Sequence, residues 1–163
     1  MPCVLEFAPG WAVIEMQAQI VSLLELCRTG NFGPLRIGSS ETEMIEYLGQ
    51  PTGWGNTKPH EDKFCHYGDV QILFQHMQLW TVHIDWFSGI NNVPSLNEPH
   101  QLEPWVIREN ADLEIIQHAL RKESLSFRYE LTNSSIILTL ESNTKIYFNN
   151  EFETLTAVSL VSR

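Results

Sequence analysis

The stretch Tyr67–Asp85, "YGDVQILFQHMQLWTVHID", decides the fold. In "VQILFQ" the apolar residues Val70, Ile72 and Phe74 recur every second position, the period at which side chains return to the same face of a strand. The continuation "LWTVHIDWF" places Trp80, Val82, Ile84 and Trp86 on one face and Leu79, Thr81, His83 and Asp85 on the other. Upstream, "KFCHY" runs into Gly68-Asp69, a dipeptide suited to a tight turn, and a second turn is expected at about His76 to Gln78. Three antiparallel strands follow.

Immediately before them stands "GPLRIGSSETEMIEYLGQPTGWG", Gly33 to Gly55. Ser40 and Glu43 have capping-box spacing, Met44, Ile45 and Leu48 form a short apolar stripe, and Gly49 with Pro51 forbids continuation. A helix from about Glu41 to Leu48 is too short to stand alone and must dock on the strands. Its trailing "TGWGNT" lacks the lysine and length of a phosphate-binding loop, so its glycines are expected to shape a turn.

Further toward the N-terminus, Val13, Met16, Ile20, Leu23, Leu24 and Cys27 recur at spacings of three and four, predicting a helix from about Trp11 to Thr29 that stops at Gly30. Toward the C-terminus, Ser88–Glu109 holds three prolines and no period. Asn110 is then the expected cap of a helix through about Lys122, with Leu113, Ile116 and Leu120 inward. Four strand-like runs close the chain: "SFRYELT", "IILTLES", "TKIYFN" and "TLTAVSLVS".

The predicted class is α+β, with two similar helix-plus-antiparallel-meander halves whose helices pack on sheet faces. Residues 1–87 would form the first half, 88–109 a linker and 110–163 the second, either side by side or merged into one compact domain. An alignment of the halves pairs Ile72 with Ile146, Phe74 with Phe148, Leu79 with Leu155, Val82 with Val158 and Ile84 with Leu160.

"IGSSETEMIEYLGQP" followed by "YGDVQILFQHMQLWTVHID" resembles an uncharacterised bacterial family with an LGxP…YGDVxxxF motif, similar to immunity proteins of polymorphic toxins. The matching positions are Gly38, Ile45, Leu48, Gly49, Pro51, Tyr67, Gly68, Asp69, Ile72, Phe74, Leu79 and Ile84. The first half also resembles, at the level of fold, the small lipoprotein of the β-barrel assembly machinery, but departs from it in lacking a signal peptide and a lipid-attachment cysteine. The resemblance implies helices on an antiparallel sheet and a toxin-neutralising role. It implies no reaction, because the shared residues are caps, turns and core positions.

Composition narrows the function classes. The 163 residues are 43 % hydrophobic and 18 % charged, which permits a substantial core. Twenty acidic residues against ten basic ones give a net charge of −10, which argues against nucleic acid and anionic membranes and fits a basic protein partner. Cys3, Cys27 and Cys65 are widely spaced and signal neither a disulfide framework nor a zinc ribbon. The chain reads as cytoplasmic, with no membrane span and no cofactor.

The candidate site residues are few. His83 and Asp85 share a strand face and are suited to a metal or a base-and-orienter pair, although no third member is visible. His60, Asp62 and His66 cluster around Cys65 in "PHEDKFCH" and are the metal candidates, with no regular ligand spacing. Cys27 lies on the apolar helix stripe, and Cys65 is the thiol to test by alkylation. His100 and His118 are expected on the surface. Trp54 and Trp105, in loop-like segments, join His83 and Asp85 as candidate partner contacts. The expected function is a non-enzymatic protein-binding module, an immunity-type inhibitor of a bacterial toxin, with a basic toxin as its partner. The alternative is a small-ligand or metal-binding protein or enzyme using the His60–His66 and His83/Asp85 region.

Overall fold

The computed structural model describes residues 17–56 and 62–162. The short helix stands where its punctuation places it. α2 spans Glu41–Leu48, with the Ser40 hydroxyl accepting from Glu43 N and the Glu43 carboxylate accepting from Ser40 N. Hydrogen bonds from the Ser40 backbone N–H and the Ser40 side chain to its carboxylate hold the Glu43 carboxyl below its usual range. Met44 and Leu48 are buried, and Gly49 ends the helix with its N–H donated to the Ile45 carbonyl.

The expected Trp11–Thr29 helix is corrected. Ile20–Ser22 is a strand, β1, and only Leu23–Thr29, α1, is helical; the part before residue 17, with Val13 and Met16, lies outside the described residues. The Ser22 hydroxyl accepts from Glu25 N and starts the helix there, leaving Ile20 exposed rather than on an inner stripe. At the other end Gly30 adopts φ 73° and returns its N–H to Leu26, as a left-handed C-cap does.

From α2 the chain enters β2 (Gly53–Asn56), β3 (Asp62–Tyr67), β4 (Val70–Gln75) and β5 (Gln78–Ile84). β2 replaces the turn expected around Gly53 and Gly55: Trp54 lies opposite Cys65 in an antiparallel pair with β3. Tyr67 and Val70 flank the Gly68-Asp69 turn, and His76 and Met77 form a two-residue loop with both φ positive, the I′ geometry that matches strand twist. One face assignment is corrected as well. Register shifts between Leu73 and Phe74, which pair with Thr81 and Leu79, so Trp80 is bulged outward. Leu79, Val82 and Ile84 are buried together, while Trp80 and Trp86 are exposed.

The segment after β5 contains a 3₁₀ turn at Ile90–Asn92 and strand β6 (Gln101–Glu103), which pairs in parallel with β1. It is pinned by Asp69, whose carboxylate accepts from the backbone and side chains of both Ser88 and Ser95 at 2.8–2.9 Å. His100, expected on the surface, is 3 % exposed. Its Nδ1 accepts from Gln19 N and its Nε2–H donates to the Leu48 carbonyl, which ties β1 to the end of α2.

α3 spans Leu113–Lys122 and is capped by Asp112 rather than by Asn110, which has φ 58°. Leu113, Ile116 and Leu120 face inward as expected. β7 (Phe127–Leu131), β8 (Ser135–Leu140), β9 (Thr144–Asn149) and β10 (Leu155–Val161) complete the chain.

Among the described residues, eight strands form a single sheet in the order β2-β3-β4-β5-β10-β9-β8-β7. β5 and β10 join antiparallel at its centre, with Val158 opposite Ile84 and Leu160 opposite Val82. The α+β class is therefore observed, as a predominantly antiparallel sheet with three helices among the described residues. Contacts place all three helices on one face of it. Met44 meets Cys65, the Leu26 carbonyl accepts from Thr144 Oγ1, and Arg121 lies over Phe127. One apolar cluster from Val21 to Leu160 fills the space between. No described helix is long and apolar enough to cross a membrane.

Candidate functional site

The sheet's other face is built by the alternate residues of the same strands, so its composition follows from period two. Register carries one row of side chains across it: His66, Gln71, His83, Ser159, Lys145, Thr139 and Arg128, each directly opposite the next. Seven strands at a spacing of about 4.8 Å make a polar row roughly 29 Å long. Apolar groups flank it on diagonally opposed sides. On one side Phe64, Leu73 and Thr81 are paired in sequence and Val161 follows Thr81. On the other, Ala157, Tyr147 and Ile137 are paired and Glu130 follows.

At the centre of the row the Ser159 hydroxyl is hydrogen-bonded to His83 Nδ1. His83 Nε2 lies 3.6 Å from Asp85 Oδ2. Burial pushes the Tyr147 phenol up, and a hydrogen bond with Ser159 pulls it in the other direction. The pair His83/Asp85 thus gains the third member that the sequence did not reveal. Ser159 lies 76 residues away on another strand, and only β5–β10 pairing brings it near.

The order Ser–His–Asp invites comparison with a hydrolase triad, and the surroundings differ from one. Ser159 is 4 % exposed. It sits in a central strand whose neighbours β5 and β9 both pair with it, so its backbone amides are committed to the sheet and form no oxyanion hole. The arrangement supplies hydrogen bonding and orientation rather than an exposed nucleophile.

The remaining candidates are dispersed. His66 lies in the polar row, next to a depression of about 90 Å³ lined by His66, Asp69, Gln71, Asp85 and Trp86. Asp62 begins the same strand four residues earlier, about 13 Å away along an extended chain, too far to share an ion with His66. His60 lies outside the described residues. Among the described residues no three His, Cys, Asp or Glu side chains are grouped to hold a metal. Both described thiols are buried, and desolvation pushes Cys27 and Cys65 up to about 12, which keeps them protonated and unreactive at neutral pH. Trp54 is on the helix-bearing side, half exposed, with the Lys63 ammonium 4.8 Å from its ring centre. Trp105 is partly buried against the core, and His118 is exposed on α3. The four partner-contact candidates therefore do not share one surface. His83 alone sits within the polar row, with Asp85 beside it.

No protein-family model and no curated protein matches this chain. Among solved structures, an extracellular protein containing an SCP domain from Bacillus anthracis str. Ames is similar over 98 % of this chain, with 12 % identity and a TM-score of 0.43. The chain spans 50 % of that protein's length.

Proposed function

We propose that this chain is a non-enzymatic protein-binding module of the cytoplasm, acting as an immunity-type inhibitor of a toxin, and that the open sheet face is its docking surface. The observation that carries the reading is the continuity of that face: a polar row crosses seven strands between two apolar flanks, while the helices contact the opposite side. Apolar flanks supply contact area, and the row supplies hydrogen-bond partners that set register. The net charge of −10 favours a basic partner through long-range steering.

The two helix-plus-meander units read as copies of one ancestral unit. Support comes from the strand order, which runs outward from β5 and β10 in mirrored sequence. The alignment that pairs Val82 with Val158 and Ile84 with Leu160 also superposes His83 on Ser159. Those two lie directly opposite each other, as residues on a local two-fold axis must.

The test is copurification of the tagged chain from its source cells at low and moderate salt. Leu73→Arg on the open face is expected to lose the captured partner, and Ile115→Arg on the exposed side of α3 to retain it. A chain that captures no protein at either salt, or whose partner is indifferent to Leu73→Arg, overturns the reading.

A further inference from the structure

The sheet ends at β7, which pairs with β8 on one side and, among the described residues, with no strand on the other. Thr132 N donates to the Ser135 carbonyl at 2.8 Å, closing the β7–β8 hairpin. Antiparallel pairs alternate between those that exchange hydrogen bonds and those that do not. Counting back from Thr132, Glu130 and Arg128 exchange with β8, and the N–H and C=O groups of Leu131, Tyr129 and Phe127 point to the free edge. Tyr129 and Leu131 are 52 % and 64 % exposed. An edge of this kind is a template for another strand.

We propose that this edge pairs with the β7 edge of a second copy of the chain, antiparallel, with the two-fold axis at Tyr129. The sequence "FRYEL" is self-complementary in that register. Tyr129 meets Tyr129, and Phe127 meets Leu131 twice, each through backbone groups already directed outward. Arg128 meets Glu130 twice, at the pairs that exchange no hydrogen bonds, where side chains stand closest. A slip of two residues either way sets Arg128 against Arg128 or Glu130 against Glu130, and a slip of one mismatches the backbone groups. Charge and hydrogen bonding therefore select the same register, and the product is a continuous sixteen-stranded sheet formed from two copies of the eight-stranded one.

Sedimentation equilibrium of the full chain over a wide loading range tests this. The chain is expected to dimerise reversibly, and Arg128→Glu and Glu130→Arg should each weaken the dimer by about tenfold or more, because each sets like charges opposite at two places. Mixing the two variants in equal amounts restores opposite charges at both pairs and should recover association, as should the double swap in one chain. Both side chains are exposed, so circular dichroism should show the fold unchanged. Tyr129→Pro removes an outward N–H that the sheet does not use and should abolish the dimer while the fold persists. A chain that stays monomeric throughout, a dimer indifferent to Glu130→Arg, or folded variants that fail to recover on mixing would overturn the proposal, as would a monomer that adds an extended peptide of another protein at this edge.

Discussion

His83 on β5 and Ser159 on β10 stand opposite each other at the seam of the sheet, and the Ser159 hydroxyl bonds His83 Nδ1. Because this seam joins the strands of residues 53–84 to those of residues 127–161, the pair is a cross-link between distant parts of the chain. A double-mutant cycle with Ser159→Ala and His83→Ala should return a coupling of about 1 kcal/mol, the worth of one well-placed hydrogen bond. Urea unfolding of the four proteins measures it, and additive effects would remove the hydrogen bond from the account of the seam.

Asp69 is a structural carboxylate. Desolvation pushes its pKa up, but hydrogen bonds from Ser88 and Ser95 outweigh this and hold it below the ordinary carboxylate value. A group whose folded pKa is depressed contributes stability above its unfolded pKa, and loses it as pH falls through the folded value. Asp69→Ala should cost about 2–3 kcal/mol at neutral pH and flatten the acid limb of the stability profile. Hydrogen exchange in the 88–95 segment should rise in parallel.

Cys27 and Cys65 have the opposite linkage. Their folded values, about 12, lie above the ordinary thiol value of 9.0, so the neutral thiol is the form the fold prefers. Their contribution is present in full below the unfolded pKa and declines as pH rises from about 9 toward 12. Denaturant midpoints should fall across that window. A thiol reagent at neutral pH should modify these two residues only at the rate of unfolding, and prompt labelling of Cys65 would contradict its burial.

Gly30 joins a positive φ to a close approach: a Cβ there would lie 2.6 Å from the Ser142 carbonyl oxygen. Gly30→Ala should destabilise by about 2 kcal/mol or more, since the left-handed conformation alone costs roughly 1–2 kcal/mol. Thermal unfolding checks this, and a neutral substitution would show that the α1 terminus can shift away from the β8–β9 turn.

His100→Ala would leave the Leu48 carbonyl and the Gln19 amide without their partner in a buried setting. A loss of about 2 kcal/mol or more is expected, read by chemical denaturation. His118→Ala, at an exposed position, should change stability by less than about 0.5 kcal/mol.

What could be read from the chain before folding shares one property: each signal is local. Ser40 and Glu43 cap α2 within one turn, Gly68-Asp69 turns β3 into β4, and alternation marks β4 and the strands from β8 to β10. Where reading failed, distant partners decided. A three-residue strand such as Ile20–Ser22 has no period of its own and exists because β6, some eighty residues later, pairs with it. His100 has a polar side chain and a loop-like context, yet a backbone carbonyl and a backbone amide bury it. Trp80 follows the alternation of its strand, but a bulge turns it outward.

The candidate face was further out of reach. The face to which His83 and Ser159 belong follows from alternation within each strand, but their meeting depends on register between strands, which backbone pairing across the assembled sheet sets. Propensity, capping and turn chemistry act over a few neighbouring residues and are written in the order of the amino acids. The merging of eight strands into one sheet, the polar row across it and the free edge at β7 arise from contacts between residues far apart in the chain, and those are chosen only when the whole core closes.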